Sequence, residues 1–290
     1  MELFQYPYMQ RALIAALVIG LAAPALGIYL VQRRLALIGD GIGHVALTGV
    51  GAGLLLNRSP VLVAVIVASL GAVAVELVRS RGRTSGDLAL ALLFYGGIAG
   101  GVMLVGLSDS TPSNLLAYLF GSLVTISPPD LVTIVVLGAV ILVLMVALRP
   151  ALFAVSHDEE YARVSGLPVR ALNMLIAITT AVTVTIAMRA VGVLLISALM
   201  VVPVAAAQQI ARGFRATMTA AMALGLFAAG SGVWVAATAN TAPGASVVLM
   251  AITSFLVVAL GGAAWRAVRR HRVPAAAPAP EPHEVVLESS

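Results

Sequence analysis

The run ALIAALVIGLAAPALGIYLV, residues 12–31, contains no charged side chain. A helix of about 20 apolar residues is long enough to cross the hydrocarbon core of a bilayer. Similar runs recur as far as residue 265, and the chain is 61% hydrophobic and 10% charged, with a mean hydropathy of +1.06. About 25% of residues are charged in soluble domains. The sequence therefore predicts one all-α, polytopic membrane domain over residues 1–270, without a separate catalytic domain.

Hydropathy divides this domain into nine candidate spans, of which the second is short. The spans are 10–32, 42–56, 60–78, 87–107, 131–148, 170–188, 191–211, 216–238 and 243–265. The chain has no lysine, and its arginines cluster after the first, third, fifth, seventh and ninth spans. The loops on the other side contain only Arg58 and Arg189. The positive-inside rule predicts an external N-terminus and a cytoplasmic C-terminus, and the net charge of +5 indicates orientation rather than nucleic-acid binding.

Two polar segments are predicted on the cytoplasmic side. Residues 156–168 contain a short helix that Gly166 and Pro168 would end, and this helix is a candidate docking element for a partner. The acidic run beginning at His157 superficially resembles a metal site. Adjacent helical residues point in different directions, so we interpret the run as a solvated acidic face that contacts a partner. The tail, 271–290, is rich in Pro and Ala and is predicted to be disordered.

Asp40 and His44 are the polar pair of the second span, LIGDGIGHVALTG (37–49). A spacing of four places both side chains on one helix face, where a carboxylate and an imidazole together suit zinc or manganese. Ionisable groups at membrane depth are costly and often functional, so we interpret the pair as part of a transport path. The alternative is that Asp40 caps the helix while His44 hydrogen-bonds a neighbouring helix.

Other residues of the spans have either a packing or a path-lining interpretation. Gly43 leaves room beside His44, and Pro203 should kink the seventh span, at a path or at a packing contact. Ser197 is expected to hydrogen-bond another helix, and Glu76 to pair with Arg79. The overlapping GxxxG spacings of the fourth span, at Gly96, Gly97, Gly100 and Gly101, favour helix packing.

Several motifs are absent from the sequence, and their absence narrows the function. A chain without lysine has no Walker A loop, so ATP hydrolysis by that route is excluded. The sequence also lacks an HExxH motif and a serine elbow, which argues against membrane proteases. With no cysteine, metal ligands must be His, Asp, Glu or backbone oxygens. These absences favour a transport subunit over an enzyme.

Five segments carry a family resemblance, which extends over residues 4–265. They are LIGDGIGHVALTGVGAGLLL, AYLFGSLVTISPPDL, EEYARVSGLPVRALN, RAVGVLLISALMVVPVAAAQQIAR and NTAPGASVVL. In this order they resemble the zinc/manganese permease family of bacterial ABC importers. Members of that family are often described with eight spans, so we expect eight or nine. The chain departs from the pattern of many members at Gly43, where they have Ser, and at Thr48, where they have Pro.

The resemblance implies a homodimeric permease in the bacterial inner membrane, with cytoplasmic ATPase subunits and an extracytoplasmic metal-binding protein as partners. It places Asp40 and His44 on the metal path and assigns ATPase coupling to the segment from Asp158 to Leu167. The coupling residues expected in that segment are Asp158, Glu159, Glu160, Tyr161, Val164, Gly166 and Leu167. The expected cargo is zinc in preference to manganese, with no tightly bound cofactor.

Two other transport functions remain open from the sequence. A permease for metal chelates, of the siderophore or cobalamin type, would need a wider and more aromatic cavity than a chain with 5% aromatic residues suggests. A secondary transporter would use His44 and Asp40 as a proton relay, and inverted repeats would be expected. An intramembrane enzyme is disfavoured by the missing motifs.

Overall fold

A computed structural model describes residues 6–80, 86–108, 117–122 and 126–272, and this part of the chain is helical, without β-strands. We number its helices as α1 (Pro7–Gln32), α2 (Ile38–Leu55), α3 (Pro60–Ser80), α4 (Gly86–Leu107), α5 (Pro128–Ala147), α6 (Arg149–His157), α7 (Glu159–Val164), α8 (Val169–Ala187), α9 (Val193–Ile210), α10 (Phe214–Ala239) and α11 (Pro243–Arg272). Of the predicted tail, residues 271 and 272 continue α11, and the rest lies outside the described residues.

Eight of these helices are long and apolar enough to cross a membrane, which confirms the all-α membrane bundle. They are α1 to α5, α8, α10 and α11. The seventh predicted span, 191–211, corresponds to α9. The second span was predicted from residue 42, but α2 begins at Ile38. Gly39, Asp40 and Gly41 lower the hydropathy of this first turn, although its backbone is helical.

Contacts at the helix ends define two sides of the bundle. At one end, Gln32 of α1 lies 3.4 Å from Nδ1 of His157 in α6, close to the cluster of arginines described below. At the opposite end, Arg11 near the start of α1 donates a hydrogen bond to the carbonyl of Ile126, and Arg189 pairs with Asp130 at the start of α5. The connections after α1 and α5 therefore share one side, as the arginine pattern predicts.

Small residues allow the helices of the core to approach closely. A Cβ atom added at Gly27 of α1 would lie 1.9 Å from the carbonyl oxygen of Met200 in α9, and one at Gly20 would lie 2.8 Å from the carbonyl oxygen of Gly225 in α10. Such contacts are typical of helix interfaces in membranes, where van der Waals packing replaces the hydrophobic effect. The α1 helix is consequently held between α9 and α10.

Buried threonines of α8 satisfy their hydroxyl groups within that helix. Thr180 Oγ1 donates to the carbonyl of Ile176 at 2.7 Å, and Thr185 Oγ1 donates to that of Ala181 at 2.7 Å. Thr179 and Thr183 also donate to a carbonyl one turn before them. Because each hydroxyl is paired in this way, the part of α8 that carries these threonines presents an essentially apolar surface to its neighbours.

Candidate metal path and coupling segment

Asp40 lies in the first turn of α2, where a carboxylate interacts favourably with the helix dipole. The N-cap residue of α2 is Leu37, whose side chain makes no capping hydrogen bond. Asp40 lies three positions later, so it does not occupy the N-cap position that the alternative interpretation assigned to it. The carboxylate oxygen Oδ1 accepts a hydrogen bond from the hydroxyl of Ser197 in α9. This contact confirms the predicted interhelical role of Ser197 and fixes the orientation of Asp40. Among the described residues, Asp40 has no ion-pair partner.

His44 is buried one turn further along α2, with 6% of its surface exposed. Its ring meets that of Phe94 in α4 edge-on, with 4.4 Å between the centroids. Within the described part of the chain, its Nδ1 atom is buried and has no hydrogen-bond partner. A buried polar atom without a partner is costly and usually has a reason, such as a ligand or a water molecule. His44 therefore offers a nitrogen that other residues leave free.

A groove of about 270 Å³ opens beside Asp40, between α2 and α4. Its other walls include Leu90 and Phe94, and at its rim Leu37 and Tyr95 are 70% and 71% exposed. The described residues contain no group of three or more His, Cys, Asp or Glu side chains that could hold a metal ion. Asp40 is therefore the candidate ligand that borders the groove, whereas His44 is not among the lining residues and lies buried against Phe94.

Gly43 and Pro203, the other residues considered for lining the path, pack inside the bundle. A Cβ atom at Gly43 would make ordinary contacts with Val184 of α8 and Val193 of α9, at 3.4–3.5 Å. Pro203 is buried in the interior of α9. Neither residue is among those that border the groove beside Asp40.

Gly97 determines how closely α4 approaches His44. A Cβ atom at this position would lie 2.5 Å from the backbone carbon of His44. The Thr48 hydroxyl donates to the Gly97 carbonyl at 2.8 Å, which adds a polar link between α2 and α4. Gly101 makes a similar contact with Leu47, whereas the space around Gly96 is open. A Cβ atom at Gly100 would lie 3.0 Å from the hydroxyl oxygen of Thr48, so the packing predicted for this GxxxG pattern depends on Gly97, Gly100 and Gly101. The pattern did not indicate Phe94, which lies against His44.

The predicted coupling helix is α7, and most of its surface faces outward. Asp158 caps it by accepting a hydrogen bond from the backbone N–H of Tyr161 at 2.9 Å. Glu160, Tyr161 and Val164 are exposed, the latter two at 67% and 89%. After the helix, Gly166 adopts a φ of +80°, and Leu167 turns back against the core. This surface is accessible to a partner.

The sequence indicated that Glu159 belongs to a solvated acidic face, but in the structure its carboxylate lies among three arginines. Its carboxylate lies 3.6 Å from a guanidinium nitrogen of Arg33, 3.9 Å from Arg79 and 3.4 Å from Arg163. Arg79 also makes a bidentate pair with Glu76, at 2.8 and 2.9 Å, which confirms the pairing predicted for Glu76. No motif in the sequence indicated that Arg33 and Arg79 lie within reach of Glu159.

Arg33 is the most enclosed charge of this cluster, because only 6% of its side chain is exposed. It follows the last residue of α1 and donates a hydrogen bond to Oδ1 of Asn173, a buried residue of α8. Burial and the neighbouring Arg79 lower the pKa of the Arg33 guanidinium from its usual value. Glu76 and Glu159 oppose this effect because they favour the charged form. The cluster is therefore a network in which each charge depends on an opposite one.

Comparison with known proteins identifies the class of this chain. Residues 5–262 match the model of the ABC 3 transport family. The chain belongs to this family, which confirms the zinc/manganese permease family identified from its motifs. It is a multi-pass membrane transport subunit rather than an enzyme, and ATP hydrolysis belongs to a separate subunit.

Relatives with named substrates are similar over most of their length. The high-affinity zinc uptake system membrane protein ZnuB of Haemophilus influenzae is 31% identical over 69% of this chain and 77% of its own. The manganese import system permease protein ScaB of Streptococcus parasanguinis is 31% identical over 81% of this chain and 84% of its own. The solved structure of PsaBC from Streptococcus pneumoniae in complex with Fab has a chain that superposes with a TM-score of 0.77, at 29% identity, covering 88% of this chain and 92% of that one.

Proposed function

We propose that this chain is the permease subunit of an ATP-driven importer of divalent metal ions, with zinc preferred over manganese. The observation that carries this proposal is the Asp40 and His44 pair, one turn apart on α2. Asp40 is oriented by a neutral hydroxyl and has no arginine partner among the described residues, and the buried His44 Nδ1 is unpartnered. A divalent cation needs polar ligands to cross hydrocarbon, and this pair supplies a carboxylate oxygen and an imidazole nitrogen.

The ligand types support zinc as the preferred cargo. Imidazole is a common zinc ligand, and for a given site the divalent ions bind in the order that places zinc above manganese. Carboxylate oxygens suit manganese as well, so Asp40 alone would discriminate weakly. The imidazole nitrogen of His44 is therefore the group that we assign to selectivity. The relatives support both metals, since one is named for zinc and another for manganese.

We infer that the working unit is a homodimer with the path between the two copies. The groove beside Asp40 opens at the surface of a single chain, and its rim residues Leu37 and Tyr95 are exposed. A second copy covering this groove would bring the two Asp40 carboxylates together, with the two His44 imidazoles buried one helical turn further along each α2. Four nitrogen and oxygen ligands match the coordination number that zinc prefers in proteins. Such a site must bind weakly enough to release its ion, which agrees with a cargo site rather than a tightly bound cofactor.

The partners and the orientation complete the proposal. Cytoplasmic ATPase subunits would dock on the exposed residues of α7, Glu160, Tyr161 and Val164. An extracytoplasmic protein would deliver the metal at the opposite end, near Asp130. In this arrangement, in the bacterial inner membrane, the side that contains Arg33 and Arg79 faces the cytoplasm, as the positive-inside rule predicts.

Metal uptake in cells that lack their own high-affinity importers tests the proposal. The permease would be expressed with its ATPase and binding protein, as the wild type, Asp40→Ala and His44→Ala. Thr238→Ala is the control, because this exposed hydroxyl bonds within its own helix. Loss of a partner that orients a metal ligand costs about 10–100-fold in affinity or activity, so loss of a ligand should cost at least as much. We expect both path variants to lose uptake at normal membrane levels, with Thr238→Ala unaffected and zinc transported faster than manganese.

The same assay separates the alternatives. Normal uptake by Asp40→Ala and His44→Ala would refute the metal path and leave Asp40 as a first-turn residue and His44 as a packing residue. Faster transport of manganese would refute the zinc preference only. Uptake of a ferric siderophore or of cobalamin in place of the free ions would identify a chelate permease. Uptake without the ATPase would identify a secondary transporter.

A further inference from the structure

The α7 helix has little apolar contact with the bundle. Of its six residues, Glu159–Val164, only Ala162 is buried, so a single methyl group anchors the helix by packing. Methyl-sized contacts contribute little compared with a full apolar side chain. The other groups that hold α7 are the ion pairs of Glu159. They connect α7 with Arg33 at the end of α1 and with Arg79 at the end of α3.

Arg33 is placed to pass a displacement of α7 to the candidate metal ligands. It lies seven positions before Asp40, and the intervening connection is hydrogen-bonded to the helices on both sides. The N–H of Leu35 donates to the carbonyl of Leu30 in α1 at 2.9 Å, and the N–H of Ile38 in α2 donates to the carbonyl of Leu35 at 3.1 Å. A short connection held in this way moves with Arg33 instead of absorbing the displacement.

We propose that Glu159, through Arg33 and Arg79, is a positioning residue that makes α7 move together with the ends of α1 and α3 and thereby transmits ATPase movements to Asp40. Glu160, the next residue, is exposed and has no ion pair in the described part of the chain. The side chains of the two neighbouring glutamates thus contact different subunits in this proposal. Glu160 faces the partner, and Glu159 faces the permease. This inference rests on the proposed function, because it concerns how transport is driven.

The test uses the complete transporter reconstituted in proteoliposomes, with the permease, its ATPase and its metal-loaded binding protein. Zinc uptake and ATP hydrolysis are measured together for the wild type, Glu159→Gln and the control Arg215→Gln, which changes an exposed charge at the start of α10. Mutations that change coupling between sites typically alter it by about 2- to 30-fold. We expect Glu159→Gln to reduce the zinc delivered per ATP at least about five-fold, within this range, while the ATPase still binds and hydrolyses ATP. Arg215→Gln, which lies outside the coupling segment, should keep the wild-type ratio.

Loss of Glu159 also removes the ion-pair partner of the buried Arg33, which threatens folding. The double variant Glu159→Gln with Arg33→Gln removes both charges and serves as the folding control. We expect it to recover wild-type membrane levels and still deliver little zinc per ATP. A conservative Glu159→Asp variant, which keeps the charge on a shorter side chain, should recover part of the ratio.

Three results would overturn the inference. One is a normal zinc-to-ATP ratio in Glu159→Gln, and another is a normal ratio in the well-folded double variant. The third is loss of ATPase binding in Glu159→Gln, because it would make Glu159 a docking contact instead. Failure of the wild-type complex to import metal would refute the proposed function itself, and that result differs from each of these three.

Discussion

Two carboxylates close to helix ends, Asp40 of α2 and Glu76 of α3, have opposite surroundings. Glu76 is buried and receives a bidentate pair from Arg79. Asp40 is only partly buried, accepts a hydrogen bond from Ser197, and has no cation beside it among the described residues. A carboxylate whose charge is already neutralised has little capacity for a metal ion. The comparison shows that the charge of Glu76 is matched within the bundle, whereas the charge of Asp40 has no ion-pair partner among the described residues.

The largest effect is expected at the buried pair. Glu76→Gln removes the bidentate partner of Arg79 and leaves only the more distant Glu159, at 3.9 Å. Breaking a buried ion pair costs about 3 kcal/mol or more in free energy of unfolding. Thermal unfolding of the purified protein should therefore show a clearly lower midpoint. Asp40→Asn is the matched variant, and we expect an unchanged midpoint together with loss of zinc uptake. The reverse pattern, with Asp40→Asn unstable and Glu76→Gln stable, would contradict the comparison.

A smaller loss of stability is expected where α4 touches α2. Gly97→Ala places a methyl group against the backbone of His44, which cannot move aside as a side chain would. Overpacking of this kind costs about 1–3 kcal/mol. Gly96→Ala is the control, because nothing lies within 4 Å of the added atom. Unfolding midpoints of the two variants provide the measurement, and equal midpoints would show that α2 and α4 are not packed as described.

Ser197→Ala examines the hydroxyl that orients Asp40. Loss of one hydrogen bond changes the free energy of unfolding by only about 1 kcal/mol. Loss of a group that orients a metal ligand lowers metal affinity about 10-fold or more. We expect zinc uptake at limiting zinc to fall while the unfolding midpoint changes little. If uptake is unchanged at limiting zinc, the Ser197 contact is a packing feature without influence on the path.

The smallest effect is expected for Arg163→Gln. Arg163 is 70% exposed and pairs with Glu159 one turn earlier on α7. Exposed pairs of this kind contribute about 0.3–0.5 kcal/mol, and salt screens them. Neither the unfolding midpoint nor the zinc delivered per ATP should change measurably. A large loss in either quantity would mean that the cluster depends on Arg163 as much as on Arg33.

The sequence was sufficient to predict contacts between residues that are close together in the chain, but not contacts between residues that are far apart in it. The helices follow from hydropathy, and both the shared face of Asp40 and His44 and the pairing of Glu76 with Arg79 follow from helical spacing. Arg33 and Asn173, by contrast, are 140 positions apart, and no spacing rule connects them. The contact between Glu159 and Arg33 is equally remote in the chain. Such contacts depend on how the helices assemble, which a single sequence does not display.

The direction of each side chain around its helix was also beyond the sequence. Gly43 lies beside His44 in the chain but faces Val184 and Val193, away from the groove. Phe94 contacts the His44 ring from α4, and its apolar side chain gave no signal in the sequence that it differed from its neighbours. Hydropathy identifies a span but does not determine which face meets which neighbour.

The threonine hydroxyls of α8 bear on the energetic barrier to helix movement. Their hydrogen bonds close on carbonyls of the same helix, so a rotation or a small axial shift of α8 breaks none of them. The same movement of α2 against α9 would separate Asp40 from Ser197 and cost a hydrogen bond in an apolar medium. At these positions α8 exchanges one set of dispersion contacts for another, whereas α2 loses a polar contact with α9 when it moves.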